Sequence, residues 1–256
     1  LGRQHEAVDV MTALADAHAA GFERISVDAI FGWPGQTLES WRSDLETLLA
    51  SPPPPNHLSL YSLIVEPGTP YADMQARGIL PIPDDDETAD MYELAVALLR
   101  DAGWTHYEIA NWTRDPHHWS RHNALYWQHG DYLGVGAGAH GHLDGTRTMN
   151  HLLPETWMAA VAAGESTVSN TEAIDGATSV TETVLMGLRL LTAGISDAAF
   201  EARHGIALRA LAGEEIDRMT EIGLIAPTGA GIRLTERGAL LSNEVTARLT
   251  DVERVP

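Results

Sequence analysis

Helix-like and strand-like patterns alternate along the first 109 residues, and this alternation restricts the fold more than any other feature of the chain. Helical spacing of apolar residues or a helix start signal marks residues 7–20, 37–48 and 84–102, and mostly apolar runs typical of strands cover residues 25–31, 57–63 and 104–109. Strand–helix–strand units of this length predict right-handed parallel crossovers. We therefore predict an α/β fold with a parallel sheet in this part of the chain.

Polar side chains stand where the predicted strands end. In parallel sheets the chemistry gathers at the carboxyl ends of the strands, which here are residues 28–36, 62–69 and 108–112. Asp28 lies inside an apolar strand, where an ionised carboxylate is unfavourable unless it is paired or faces a polar site. It could accept hydrogen bonds from a ribose or an amine, and Arg3 could bind a carboxylate with two nitrogens. A salt bridge between Arg3 and Asp28 is an equally open alternative, and Glu66 and Glu108 are further strand-end carboxylates.

Histidines crowd the middle of the chain, where eight of the 12 fall within residues 106–151. Imidazole is the side chain best suited to metal ligation and to proton transfer near neutral pH. The most specific arrangement is His122 beside Asn123, followed by Tyr126 and Trp127. It could supply an axial nitrogen and flat apolar walls, as a haem or porphyrin requires. A core aromatic pair with a nearby hydrogen-bonded histidine is the alternative.

Glycine alternates with small residues over 134–140, which read Gly-Val-Gly-Ala-Gly-Ala-His. A dinucleotide-binding loop would need a helix directly after these glycines, but Gly141, Asp144 and Gly145 interrupt the chain there. Such glycines instead permit a close approach of the backbone to a ligand.

The last third of the chain predicts a mainly helical unit. After a polar, linker-like stretch at 165–177, helical patterns include residues 207–222, a short turn separates two apolar segments, and a final helix begins at Thr235. Helix, two-stranded wing and helix are typical of a winged-helix module. Acidic residues outnumber arginines there, which argues against DNA reading.

Composition excludes several classes of function. The chain has no Cys and no Lys, so thiol nucleophiles, Schiff-base lysines and a thiolate-held cluster within these 256 residues are ruled out. A net charge of −20 opposes nucleic-acid binding. No apolar run is long enough for a membrane span and no targeting segment is visible, so we expect a cytoplasmic protein without an integral membrane segment.

Several strings resemble one family, the radical S-adenosylmethionine (SAM) proteins of the oxygen-independent coproporphyrinogen III oxidase type, which includes the HemW haem chaperones. The matching strings run in family order: Asp28-Ala-Ile-Phe-Gly-Trp-Pro-Gly-Gln-Thr37, Glu66-Pro-Gly-Thr-Pro70, Tyr107-Glu-Ile-Ala-Asn111, His122-Asn-x-x-Tyr-Trp127, Tyr132-Leu-Gly-Val-Gly-Ala-Gly-Ala-His-Gly141 and Arg233-Leu-Thr-Glu-Arg-Gly238. The resemblance implies the second half of a (β/α) SAM barrel, followed by a mainly helical, winged-helix-like domain.

The resemblance also implies roles for single residues. The positions expected to contact SAM are Arg3, Asp28, Ile64 and His140. His122 belongs to the signature that marks the haem-binding members, so haem iron would be ligated by His122, with Asn123 orienting the imidazole and Tyr126 and Trp127 lining the macrocycle. Haem binding, with delivery to an unidentified haem-accepting protein, is the predicted function.

The family's C-x-x-x-C-x-x-C loop, which holds the [4Fe–4S] cluster, is absent from this chain. We therefore expect a fragment whose cluster-binding part lies elsewhere, and no radical chemistry by the chain alone. The predicted domains are the half-barrel at 1–112, a His- and aromatic-rich segment with linker at 113–175, and the C-terminal domain at 176–256. An exposed half-barrel edge would favour instability or a dimer.

Three alternatives remain at this point. The first is the SAM-dependent oxidase that converts coproporphyrinogen III to protoporphyrinogen IX. The second is a metal hydrolase built on four histidines: His117, His118, His140 and His142. The third is an interaction module that uses the C-terminal domain.

Overall fold

The computed structural model describes residues 5–250, and these form two units that divide between Trp119 and Ser120. Among residues 5–250, no helix has the length and apolar character needed to cross a membrane. The predicted domain boundaries after residues 112 and 175 remain predictions.

The first unit alternates helices with strands of one four-stranded sheet. Its elements are α1 (Ala7–Ala19), β1 (Ser26–Phe31), α2 (Leu38–Leu49), β2 (His57–Ser62), α3 (Pro70–Ala76), α4 (Asp85–Asp101), β3 (Thr105–Glu108), β4 (Asn111–Thr113) and a 3-10 turn (Pro116–His118). Local signals start the helices as predicted. The hydroxyl of Thr37 accepts the Ser40 amide at 3.1 Å, and Asp84 accepts the Glu87 amide at 2.8 Å.

The sheet order is β1-β2-β4-β3, which corrects the prediction of three adjacent parallel strands. β1 and β2 are parallel, as predicted. β3 turns back into β4 through only Ile109 and Ala110, a connection far too short for a parallel crossover, so the two strands pair antiparallel. β4 then takes the place beside β2. A three-residue strand has too little pattern to be read from the sequence.

The core of this unit lies between the sheet and two helices. Buried side chains from α2, α4 and alternate strand positions form it: Phe31, Trp41, Leu45, Leu58, Leu60, Met91, Leu99 and Trp112. The Trp41 indole Nε1 donates to the Met91 carbonyl at 3.0 Å, which joins α2 to α4. Because strand residues alternate between faces, the core side chains occupy one face of the sheet and polar side chains lie on the other.

The second unit contains two three-stranded antiparallel sheets and most of the helices. Its elements are α5 (Arg121–Trp127), β5 (His140–Leu143), β6 (Thr146–Asn150), α6 (Pro154–Ala163), β7 (Val168–Ala173), α7 (Gly176–Gly187), β8 (Ile195–Ser196), α8 (Asp197–His204), α9 (Leu208–Glu221), β9 (Ile225–Pro227), β10 (Gly231–Leu234), α10 (Glu236–Leu240) and α11 (Ser242–Leu249). The sheet orders are β5-β6-β7 and β8-β10-β9.

The predicted linker at 165–177 is wrong, because its middle forms strand β7, which pairs with β6 from Thr146↔Ala173 to Asn150↔Val168. All six β7 side chains are exposed, so this edge strand lacks the apolar alternation that identifies strands in a sequence. Backbone hydrogen bonds to β6 hold it instead.

The C-terminal predictions are largely confirmed. The helix expected at 207–222 is α9, and Thr235 caps the next helix by accepting the Gly238 amide at 2.9 Å. The helix after Thr235 is interrupted at Leu241, which separates α10 from α11. The short apolar segments form β9 and β10, and β8 adds a third strand to them.

Candidate functional site

One row of polar side chains crosses the whole sheet of the first unit. Asp28 on β1 pairs with Ser59 on β2, Ser59 with Asn111 on β4, and Asn111 with Glu108 on β3. Residues directly opposite one another in a sheet place their side chains on the same face. The row therefore lies on the face opposite the core. Asp28 is exposed, whereas Ser59, Asn111 and Glu108 are 5%, 1% and 0% exposed.

A second polar group lies beside this row on the same face. The His57 ring is held between the Ser26 hydroxyl at 2.8 Å and the Tyr107 hydroxyl at 2.7 Å, and Trp119 stacks on Tyr107 with ring centroids 4.7 Å apart. Burial lowers the pKa of His57, and the negative charge of Asp28 opposes that shift. Burial therefore favours the neutral form of His57 on this face of the sheet.

A cavity of about 550 Å³ lies beside Asp28, between α1, β1 and α2. The residues that line it include the apolar Met11 and Trp41 and the acidic Asp28 and Asp44. Burial raises the pKa of Asp44, and the nearby side-chain amide of Gln36 partly offsets this. A mostly apolar cavity with a few polar groups is the usual form of a small-molecule binding site.

Of the three other residues expected to contact SAM, the structure describes two. Arg3 lies outside the described residues, so neither its predicted role nor its alternative salt bridge with Asp28 is tested. Ile64 follows β2 and is 75% exposed. His140 opens β5 in the second unit and is exposed.

In the second unit, helix α5 brings two of the predicted haem residues together. Ser120 starts the helix by accepting the Asn123 amide at 3.3 Å. His122 is exposed, and Tyr126, four residues later on the same face, meets its ring edge-on with centroids 4.7 Å apart. Tyr132 extends this aromatic surface, with its ring centroid 4.5 Å from that of Tyr126. An exposed imidazole beside two phenol rings suits a flat ligand with a metal at its centre.

Trp127 is turned away from this pair. It lies about 140° around the helix from His122, and the Arg189 guanidinium lies 4.3 Å from the centre of its ring. Asn123 shares the Trp127 side of the helix. The structure therefore brings together His122 and Tyr126 but not all four predicted residues.

The glycine-rich segment before His140 is held in a defined shape by Asn150. The buried Asn150 amide donates to the carbonyls of Gly134 at 3.2 Å and Gly136 at 2.9 Å. A Cβ on Gly134 would lie 2.4 Å from the carbonyl oxygen of His140. Gly134 thus allows a close approach between two segments of this unit, whereas the predicted approach to a ligand stays a prediction. Nothing in the sequence pattern marks Asn150 as the support of this segment.

The remaining histidines of the central segment do not form a metal site. His129 and His142 are buried with ring centroids 5.0 Å apart, beside a cavity of about 310 Å³ that also contacts Asp131 and Arg203. Burial, followed by the charges of Arg203 and His142, lowers the pKa of His129 to about 4. Within residues 5–250 no three His, Asp or Glu side chains are arranged to hold a metal ion. The hydrolase alternative therefore has no site in this part of the chain.

Comparisons with known proteins agree on one family. A family model described as the HemN C-terminal domain matches residues 174–241. The chain is 36% identical over 245 residues to Heme chaperone HemW of Bacillus subtilis (strain 168), which covers 96% of the chain and 64% of the relative. It is 34% identical over 252 residues to Heme chaperone HemW of Mycobacterium tuberculosis, covering 97% of the chain and 61% of the relative. The chain thus spans less than two thirds of these relatives.

A solved structure is similar over the same extent. Coproporphyrinogen III oxidase (HemN) from Escherichia coli, described as a radical SAM enzyme, superposes with a TM-score of 0.76 at 18% sequence identity. The match covers 98% of this chain and 60% of that one. At this identity, the similarity establishes a shared fold.

Proposed function

Because the chain belongs to the HemW-type family of HemN-like radical SAM proteins, we propose that it binds haem and takes part in haem delivery. The single observation that carries the proposal is the exposed His122 packed edge-on against Tyr126 on one face of α5. The likeness of the whole chain to relatives named as heme chaperones supports it.

His122 would act as the axial ligand of the haem iron. An imidazole needs one nitrogen free of protein contacts to bind iron, and an exposed ring meets that requirement. Tyr126 contacts the ring edge and limits its rotation, while Tyr132 adds a second aromatic surface for the macrocycle. Trp127 would not contact the macrocycle. It would instead orient the C-terminal end of α5 through its contact with the Arg189 guanidinium.

SAM is the second proposed ligand, and the polar row of the first unit fits it. Asp28 is exposed at the edge of the row and beside the large cavity, where its carboxylate can accept from hydroxyl or amino groups. Ile64, just after β2, is exposed, and contacts of SAM with Ile64 and with His140 stay predictions. A [4Fe–4S] cluster supplies the electron for SAM cleavage, and it needs thiolates that these 256 residues do not contain.

The finer architecture is also a proposal. The parallel β1–β2 pair with its helices would be part of a (β/α) barrel, and α9 with the β9–β10 hairpin and α10 would be a winged-helix-like domain. A haem-accepting protein is the proposed partner, and a dimer remains a prediction.

Haem titration tests the proposed function. We expect the chain to shift the Soret band of added haem, and His122→Ala to weaken haem binding by at least about tenfold with a different Soret maximum, because the axial nitrogen is lost. The measurements are an absorbance titration and the spectrum of the saturated protein.

The matched control is His18→Ala, which removes another exposed helical histidine, on α1 in the first unit. This variant is expected to bind haem like the unsubstituted chain. Equal affinity and equal spectra for all three proteins would contradict the role of His122. Turnover of coproporphyrinogen III by a full-length version of this protein that contains the cluster would favour the oxidase alternative.

A further inference from the structure

The Asn111 side chain is nine-tenths buried yet has an oxygen without a partner. Its exposure is 1%, its Nδ2 group donates to the Glu108 carboxylate, and its Oδ1 atom is buried without a hydrogen bond. Buried polar atoms of folded proteins nearly always have a partner. A donor that the neighbouring side chains do not supply would complete its hydrogen bonding.

Glu108 fixes the direction of this amide. A carboxylate only accepts hydrogen bonds, so it selects the NH₂ side of Asn111 and turns Oδ1 away from itself. Glu108 is itself completely buried and also accepts the Ala110 amide at 3.4 Å. The short hairpin between β3 and β4 thus presents one oriented acceptor on the polar face of the sheet.

The acceptor stands in line with two other oxygen-bearing side chains. Register places Ser59 between Asn111 and Asp28, and neighbouring strands are about 4.8 Å apart, so the three side chains span roughly 10 Å. That span suits a nucleoside-sized ligand. Acceptors at both ends of the row favour a ligand that carries hydroxyl or ammonium donors.

We propose that Asn111, positioned by Glu108, is a further SAM-contacting residue whose Oδ1 accepts a hydrogen bond from a ribose hydroxyl or from the ammonium group of SAM. The inference rests on the proposed function, because it takes SAM as the ligand beside Asp28. It adds two residues, on a hairpin at the far edge of the sheet, to the residues expected from family resemblance.

Equilibrium dialysis with radiolabelled SAM tests this role. Asn111→Ala is expected to weaken SAM binding about tenfold, the effect of losing one buried hydrogen bond. Glu108→Gln keeps the side-chain size but no longer dictates the amide orientation, so a smaller loss of about threefold is expected. Repeating the dialysis with 5′-methylthioadenosine identifies the donor. A loss that persists points to the ribose, and a loss confined to SAM points to the ammonium group.

Thr113→Val is the matched control. Thr113 lies two residues along the same strand, on the same face, and is fully buried, but its hydroxyl lies 2.9 Å from the carbonyls of both Asn56 and Asp115. This variant is expected to lose stability and to keep the affinity for SAM. Thermal unfolding shows which variants fold. If Asn111→Ala does not fold, the SAM affinity of Glu108→Gln tests the role of the amide.

Asp28→Asn separates this inference from the proposed function. If Asp28→Asn weakens SAM binding while Asn111→Ala and Glu108→Gln leave it unchanged, the SAM site stands and the role of Asn111 is overturned. If the unsubstituted chain binds no SAM, the proposed SAM site and the role of Asn111 both fall. If Thr113→Val weakens binding as much as Asn111→Ala, the effect is structural and the inference is also overturned.

Discussion

The free energy of unfolding is expected to fall by several kcal/mol when the pH is lowered from 7 to 4, because two histidines are held neutral by the fold. His106 stacks on Trp112 with ring centroids 4.0 Å apart, and burial lowers its pKa to about 4 in spite of opposing backbone hydrogen bonds. In the second unit, burial and the nearby Arg203 and His142 lower the pKa of His129 to about 4.

The direction follows from proton binding. An unfolded histidine has a pKa near 6.5, so between pH 6.5 and pH 4 the unfolded chain binds more protons than the folded one. The contribution to stability is complete above pH 6.5 and is lost as the pH falls through that window. Each histidine contributes about 2–3 kcal/mol over the full range.

Urea denaturation at pH 5 and pH 7, monitored by circular dichroism, measures this loss of stability. His129→Gln is expected to reduce the pH dependence, since glutamine does not titrate, even if the variant is less stable at both values. His18→Gln, at an exposed position of α1, is the control and should leave the pH dependence unchanged. A pH dependence in His129→Gln equal to that of the unsubstituted chain would show that His129 is not responsible.

Gly134→Ala is expected to destabilise the second unit by at least about 3 kcal/mol. The new methyl group would lie 2.4 Å from the His140 carbonyl oxygen and 2.5 Å from its carbon. Both are backbone atoms at the start of β5, so relief requires moving that strand or the glycine-rich segment. The midpoint of thermal unfolding reports the loss.

Gly176→Ala is the matched control for that substitution. Gly176 is the first residue of α7, it is exposed, and a Cβ there meets no atom within 4 Å. Alanine restricts the unfolded chain and favours a helix, so a gain of about 0.5–1 kcal/mol is expected. If Gly134→Ala unfolded at the same temperature as Gly176→Ala, the glycine-rich segment would have to be far more adjustable than its contacts with His140 indicate.

Much of the site could be anticipated from short strings of residues. Asp28 stands out in the sequence because a carboxylate interrupts an apolar strand, and it does lie in a polar row beside a cavity. Composition and family resemblance indicate His122 and Tyr126, and helical spacing brings the two rings into contact. The sequence assigns no role to Ser59 or Asn111, because Asn111 only ends a family-like string and neither side-chain type is specific to one chemistry.

The amino-acid order alone indicates helices α1, α2, α4 and α9, the caps at Thr37 and Thr235, the β1–β2 pair and the family, because periodic patterns, local cap signals and family-like strings carry them. Tertiary structure decided the insertion of β4 beside β2, the exposed edge strand β7 and the separation of Trp127 from His122. Strand register and burial result from contacts between residues distant in the chain. The strand register therefore aligns Asp28 with Glu108 across the sheet, although they are 80 positions apart in the sequence.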